Sequence, residues 1–180
     1  MSGLNKGLRK VEVTLKWEPS PSGTPANDLD IVAATYSADD PYGKPEYVVH
    51  FDSRSPDGTI TLNRDSRTGL GFGTDEAMTL ELDRLSSRYT RVVVGVVIQQ
   101  GDGRKTFGDV PNTAVRVRED RTELVNDDFV GVFDATAATV AEFTRGASGE
   151  WVFRKALRGF DTDPASFAAL MGRNPSPPDF

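Results

Sequence analysis

Five acidic residues in two parts of the chain have the spacing of a calcium-type site. Asp65 precedes a glycine-rich segment, Asp75 and Glu76 follow it, and Asp28 and Asp30 form a second acidic pair around one leucine. The segment has glycine at three alternate positions: Gly69, Gly71 and Gly73. Glycine relaxes the backbone, so that carbonyl and carboxylate oxygens can converge on one point. Because Ca²⁺ takes about six to eight oxygen ligands in a flexible cage, we predict a calcium-type loop that Asp28 and Asp30 join in space.

Two arginines offer a second way to neutralise these acids. Crowded carboxylates repel one another unless a cation or a guanidinium compensates them. Arg64 and Arg67 flank Asp65, and an arginine can bind a carboxylate through two parallel hydrogen bonds. The residues alone therefore leave two interpretations open, a metal site and a salt-bridged loop without metal.

The residues that commonly carry catalysis are scarce. The chain has no cysteine and a single histidine, His50, which lies in a predicted strand. It has no GxSxG nucleophile elbow. The glycine segment is followed by a strand pattern, not by the lysine and hydroxyl residue of a phosphate-binding loop. We expect no catalytic residue and no enzymatic activity, and a hydrolase that uses only carboxylates is a weaker alternative.

Composition and charge indicate which partners the protein could bind and in which cellular compartment it would fold. The 180 residues carry a net charge of −6, which argues against a nucleic-acid binder. The absence of cysteine suits a reducing cytoplasm. The first ten residues show no apolar signal segment, and the longest apolar run, 92–98, is far shorter than the roughly 20 residues that cross a bilayer. We expect a cytoplasmic protein that is not inserted in a membrane.

The elements that must position the acids are mostly strands. Apolar residues alternate with polar ones in many short segments, and a continuous β-branched run in 91–99 predicts a central strand buried on both faces. The predicted strands are 11–17, 29–36, 47–51, 59–62, 77–82, 91–99, 113–118, 131–133, 139–143 and 150–156. A Ser-Pro-Asp-Gly turn predicts a hairpin between 47–51 and 59–62, and Asp163 and Pro164 predict a short helix over 165–171. Many short strands with little helix indicate an all-β sandwich or barrel.

The chain resembles the tellurium-resistance TerD family of bacterial stress proteins. The matching motifs occur in family order over residues 7–160. They read GLRKVEVTLKW, NDLD, SPDGTI, DSRTGLGFGTDE, TFGDVPNTAVRV and GEWVFRKALRGF. Each motif is weak by itself, but the ordered series is specific.

The resemblance implies a β-sandwich of two packed sheets in one domain, residues 1–172, with a loose tail over 173–180. It implies Ca²⁺ binding, commonly at two neighbouring sites. The implied ligands here are Asp28, Asp30, Asp65, Asp75 and Glu76. It also implies a role in resistance to tellurite and other chemical stress, and no enzymatic activity.

The calcium loop departs from the family pattern at several positions. Arg64 stands where the family has glycine, Ser66 where it has asparagine, and Thr74 where it has an acid. We therefore expect one weakened calcium site rather than two. The alternative is a metal-free module on the same fold, with the loop locked by arginines, that binds an unknown protein partner. The oligomeric state is not predicted.

Overall fold

The computed structural model describes residues 7–64, 74–101 and 103–173 of the chain. Within these ranges ten strands form two five-stranded antiparallel sheets. The strands are β1 (Lys10–Lys16), β2 (Leu29–Ser37), β3 (Tyr47–Val49), β4 (Ile60–Arg64), β5 (Glu76–Glu81), β6 (Tyr89–Ile98), β7 (Ala114–Glu119), β8 (Thr122–Asp127), β9 (Ala137–Arg145) and β10 (Trp151–Phe160). The first sheet has the order β4-β5-β1-β7-β8 and the second the order β10-β9-β6-β2-β3. The predicted all-β sandwich of two sheets is confirmed.

The main core lies between the two sheets. Alternate residues of β1 (Val11, Val13 and Leu15) are fully buried, whereas their neighbours lie on the outer face. Val13 is paired with Met78 of β5 on one side and with Val117 of β7 on the other. Since full burial of such a side chain is worth about 1.5–3 kcal/mol, this alternation fixes which face of β1 packs inward.

A second apolar layer covers the outer face of the second sheet. The helix α1 (Pro164–Leu170) places Phe167 against the outward side chains of β2 and β6, among them Val32 and Val93. The helix begins as predicted, because the Asp163 carboxylate accepts a hydrogen bond from Ser166 N at 2.8 Å. The β6 strand is therefore buried on both faces, as its β-branched run predicts.

Gly95 of β6 allows α1 to dock, and substituting it should undock the helix. A Cβ atom at this position would lie 2.6 Å from the Phe167 ring and 2.8 Å from the Ala138 carbonyl oxygen. We expect Gly95→Ala to lower the free energy of unfolding by about 1–3 kcal/mol, as overpacking of a tight site does. Urea denaturation measures this change.

Gly101→Ala is the matched control, because no atom of the described residues, apart from its chain neighbours, lies within 4 Å of a Cβ built on Gly101. We expect it to change stability by less than about 0.5 kcal/mol. Equal effects of the two substitutions would show that Gly95 does not limit the packing of α1.

The predicted hairpin between 47–51 and 59–62 is wrong. The strand β3 belongs to the second sheet and β4 to the first. The chain leaves β3 early, because His50 and Ser53 form an isolated bridge that turns it back. The Asp57 turn that follows, with Thr59 N donating to Asp57 Oδ1 at 3.1 Å, then delivers the chain to the edge of the other sheet.

The strand predicted over 131–133 is also wrong, since Val130–Val132 form a 3₁₀ turn. The carboxylates of Asp127 and Asp128 accept hydrogen bonds from the N–H groups of Phe129 and Val130. Such local bonds compete with a sheet ladder. The preceding strand, β8, has no counterpart among the predicted strands because it alternates weakly.

The predicted boundary of the domain at residue 172 stays a prediction. Of the predicted tail, only Arg173 belongs to the described residues. In the part of the chain that the structure describes, no helix has the length and apolar character needed to cross a membrane.

Candidate metal centre

Glu76 connects the two sheets at the end where β2 begins. The strand β3 pairs only with Ala33–Thr35 of β2, so the edge of β2 before that point is not covered by β3. There Ile31 N donates a hydrogen bond to Glu76 Oε1 at 2.5 Å. A carboxylate of β5, in the first sheet, is thereby held against the backbone of the residue that follows Asp30 in the second sheet.

Asp75 is attached to the end of β1 and, through it, to the loop that carries Asp28. Trp17 N donates to Asp75 Oδ2 at 2.8 Å, and Trp17 Nε1 donates to the carbonyl oxygen of Asn27 at 2.8 Å. One tryptophan therefore contacts both the residue before Asp28 and the carboxylate of Asp75.

Gln99 holds the other acidic pair. Gln99 Nε2 donates to Asp30 Oδ2 at 2.6 Å, and Gln99 N donates to the carbonyl oxygen of Asp28 at 2.8 Å. Asp30 lies opposite Val97 in the β2–β6 register, and its place in the alternation of β2 puts it on the face that carries Val32. The end of β6 thus fixes the positions of Asp28 and Asp30.

These contacts bring four of the five predicted site residues to one end of the sandwich: Asp28, Asp30, Asp75 and Glu76. We call this set the acid cluster. The fifth predicted residue, Asp65, lies outside the described residues, as does Arg67. Within the described ranges, the acid cluster contains no group of three acidic or histidine side chains that could hold a metal ion. A metal bound here would therefore need oxygens from another source, such as the segment 65–73.

Three of the four carboxylates in the acid cluster are buried, which makes their negative charges costly. Asp30 and Asp75 are each 2% exposed and Glu76 is 0% exposed. A buried carboxylate is costly unless it is hydrogen-bonded and its charge is compensated. The donors named above supply hydrogen bonds, and the compensating charge would have to come from a cation or a guanidinium. Carboxylate and carbonyl oxygens are hard ligands that fit Ca²⁺ and suit thiophilic metals poorly.

Trp17, Asn27 and Gln99 hold the acids of this region but are not among the predicted site residues. Only Gln99 had a signal, because it is a polar residue at the end of a strand that is buried on both faces. The other two act through backbone atoms or an indole N–H, which no residue pattern marks.

His50 lines a small cavity together with Asp30 and Asp52. Its Nδ1 atom accepts a hydrogen bond from Asp52 N at 3.2 Å. Burial lowers the pKa of its imidazole, which favours the neutral ring. A neutral imidazole that accepts a local backbone bond stabilises the turn after β3.

The fold and the acid cluster together define an antiparallel β-sandwich with an acid-rich end. The TerD domain model matches residues 1–170. The chain belongs to the TerD family, as the order of its motifs predicts.

Similar proteins are named for tellurium resistance and for stress. A homologue of telluride resistance protein (TerD) from Streptomyces coelicolor A3(2), whose crystal structure is solved, is 61% identical with a TM-score of 0.92, covering 94% of this chain and 100% of that one. Tellurium resistance protein TerD from Serratia marcescens is 30% identical over 176 residues, 94% of this chain and 90% of the relative. General stress protein 16U from Bacillus subtilis (strain 168) is 27% identical over 173 residues, 93% of this chain and 90% of the relative.

Proposed function

We propose that this chain is a cytoplasmic, non-enzymatic stress-response protein that binds Ca²⁺ at the acid-rich end of the sandwich. Asp28, Asp30, Asp75 and Glu76 are the proposed ligands, with Asp65 and carbonyl oxygens of the segment 65–73. Bound calcium would supply positive charge that ties the two sheets together at this end. The names of the relatives support a role in tellurite resistance or general stress.

The hydrogen bond between Ile31 N and Glu76 Oε1 is the observation that carries this proposal. Asp30 and Glu76 belong to different sheets and are 46 positions apart in the chain, yet this bond joins Glu76 to the backbone of Ile31, the residue that follows Asp30. A cation that contacted both would bind the folded chain and not the unfolded one. Such a ligand stabilises the folded state by mass action.

One calcium ion per chain is the proposed stoichiometry. Thr74 stands where an acid would add a further ligand, and Arg64 adds a positive charge beside the segment. Both features weaken a second site.

The alternative is a metal-free module that uses the same end to bind a protein partner. One observation favours it, namely that the described acids alone do not form a three-ligand group. In that case an arginine compensates the acid cluster in place of the ion.

Thermal unfolding with calcium and with a chelator tests the proposal. We expect saturating calcium to raise the free energy of unfolding by about 2.7 kcal/mol at a concentration of about 100 times Kd. Asp30→Asn should abolish most of this gain. Asp39→Asn is the matched control, because Asp39 is exposed just beyond the other end of β2, and it should keep the gain.

Metal analysis and calcium calorimetry on the purified protein measure the stoichiometry. No calcium-dependent stabilisation and no bound metal would contradict calcium binding. The double variant Arg64→Gly with Thr74→Asp then identifies the alternative. If it gains calcium affinity that the natural chain lacks, the loop has become a metal-free element.

A further inference from the structure

A cleft at the opposite end of the sandwich has the features of a separate binding site. It has a volume of about 480 Å³, within the usual size range of ligand sites, roughly 300–1,000 Å³. It lies between the 146–150 turn that joins β9 to β10, the 3₁₀ turn Leu82–Arg84, and the segment 8–9 that precedes β1. We call it the Arg145 cleft. Glu76 and Leu82 lie at opposite ends of β5, so this cleft is distinct from the acid cluster.

Arg145, the last residue of β9, is the central group of the cleft. Its guanidinium lies over the ring of Trp151, 4.7 Å from the centroid, and its Nη2 donates to the carbonyl oxygen of Leu85 at 3.0 Å. Among the described residues, no carboxylate oxygen lies within 4.0 Å of it. Burial lowers the pKa of Arg145, yet guanidinium remains charged in proteins. The cleft therefore presents a positive charge without an ion-pair partner in the described chain.

Three residues that line the cleft have polar atoms without a hydrogen-bond partner among the described residues. Arg145 Nε and Trp151 Nε1 are buried and have no acceptor among the described residues, and Glu150 Oε2 has no donor there. Arg145 Nη1 also makes no hydrogen bond there and, unlike Nε, is not enclosed. Buried polar groups normally have a hydrogen-bond partner, but these three atoms are enclosed by the chain, so Nη1 is the atom of Arg145 that a ligand in the cleft can reach.

The charged residues that line the Arg145 cleft indicate which net charge a ligand should carry. Arg9 and Arg145 are balanced by Asp83 and Glu150, so the formal charges of the four cancel. A dianion such as phosphate would face both acids, whereas a carboxylate carries a single charge and pairs well with a guanidinium. A hydrogen-bond donor next to that carboxylate would satisfy Glu150.

We propose that the Arg145 cleft binds a small carboxylate whose neighbouring carbon carries a hydrogen-bond donor, as in 2-hydroxy acids and α-amino acids. The carboxylate pairs with Arg145, and the hydroxyl or ammonium group donates to Glu150. This site is independent of calcium and of the proposed function of the acid cluster.

Titration followed by nuclear magnetic resonance tests this site with the full chain in chelator. The chain has two tryptophans, so the indole N–H signal of Trp151 reports on the cleft while that of Trp17 serves as an internal reference. The probes are L-lactate, L-alanine and propionate, which has the same size but no donor. We expect lactate or alanine to shift the Trp151 signal saturably and to bind at least about 5-fold more tightly than propionate. The preferred probe distinguishes a hydroxyl from an ammonium donor.

Arg145→Gln should weaken binding of the preferred probe by at least about 10-fold, which corresponds to about 1.4 kcal/mol. Arg158→Gln is the matched control, because Arg158 also lies over an aromatic ring, 4.7 Å from the Phe160 centroid, but does not line the cleft. It should leave binding within about 2-fold of the parent. If Arg145→Gln does not fold, Arg145→Lys keeps the charge and should retain part of the binding.

Three outcomes would overturn the proposal. The first is the absence of a saturable shift of the Trp151 signal with any probe. The second is equal binding of propionate, or tighter binding of inorganic phosphate, which would exclude the proposed ligand class. The third is unchanged binding in a folded Arg145→Gln or Arg145→Lys variant, since both remove the guanidinium.

Discussion

Replacing Arg91 by methionine should lower the free energy of unfolding by about 3–5 kcal/mol, the usual cost of removing one partner of a buried ion pair. Arg91 lies in β6 on the outer face of the second sheet. Its Nε donates to Glu142 Oε2 at 2.6 Å, and both side chains are less than a tenth exposed, at 7% and 8%. The same guanidinium donates through Nη1 to the carbonyl oxygens of Pro41 at 2.9 Å and Gly172 at 2.5 Å.

Arg91 therefore joins three parts of the chain that are distant in sequence. The rings of Tyr36 and Tyr42 pack against its guanidinium, at 5.1 and 4.5 Å from their centroids. Methionine fills a similar volume but leaves the buried carbonyl oxygen of Gly172 and the half-buried one of Pro41 without their donor. We expect the loop around Pro41 and the segment after α1 at Gly172 to loosen together.

Arg154→Met is the control for this prediction, because Arg154 binds the same carboxylate from the solvent side. Its Nη2 lies 2.7 Å from Glu142 Oε1, but its side chain is 72% exposed. An exposed ion pair is worth about 0–1 kcal/mol, so Arg154→Met should cost no more than that. Chemical denaturation of both variants measures the difference, and equal losses would show that burial does not set the strength of this network.

The sequence predicts the strands better than it predicts their partners. Alternation in β1 and the β-branched run of β6 show which residues face inward, because side-chain direction has a period of two in any strand. The pairing of strands depends on contacts between distant segments. For this reason the hairpin predicted between 47–51 and 59–62 is wrong. The turn at Asp57 is local, and the Ser-Pro-Asp-Gly pattern predicts it. The residues of that turn do not determine that the chain passes from one sheet to the other.

In the acid cluster, too, the sequence predicts some residues and not the contacts that orient them. The acids themselves are visible in the sequence as short motifs with glycines nearby. The groups that orient them come from the ends of other strands, as Gln99 does for Asp30 and Trp17 for Asp75. These contacts are non-local and partly use backbone N–H groups, so they follow only from the packing of the two sheets. The Arg145 cleft likewise depends on a turn, a 3₁₀ turn and the start of the chain meeting in space.

Glu76 allows the structural and metal-binding roles of the acid cluster to be separated with two substitutions. In chelator, Glu76→Ala should lower the free energy of unfolding by about 2–4 kcal/mol. It leaves the buried Ile31 N–H without an acceptor, which costs about 1–3 kcal/mol, and it opens a cavity at a fully buried position. Glu76→Gln keeps the size of the side chain and an oxygen that can accept from Ile31 N. Its stability in chelator should lie within about 1 kcal/mol of the parent.

Calcium should then distinguish the two roles of the Glu76 carboxylate. Glutamine has no charge, so Glu76→Gln should lose most of the calcium-dependent gain in stability even though it folds normally. Glu81→Gln, at the other end of the same strand and half-buried beside Arg84, should keep that gain in full. If Glu76→Gln retains the whole calcium response, the carboxylate is a structural link between the sheets and not a calcium ligand. If it proves as unstable in chelator as Glu76→Ala, the charge on Glu76 is itself required to hold β5 against β2, and the compensating cation is part of the chain.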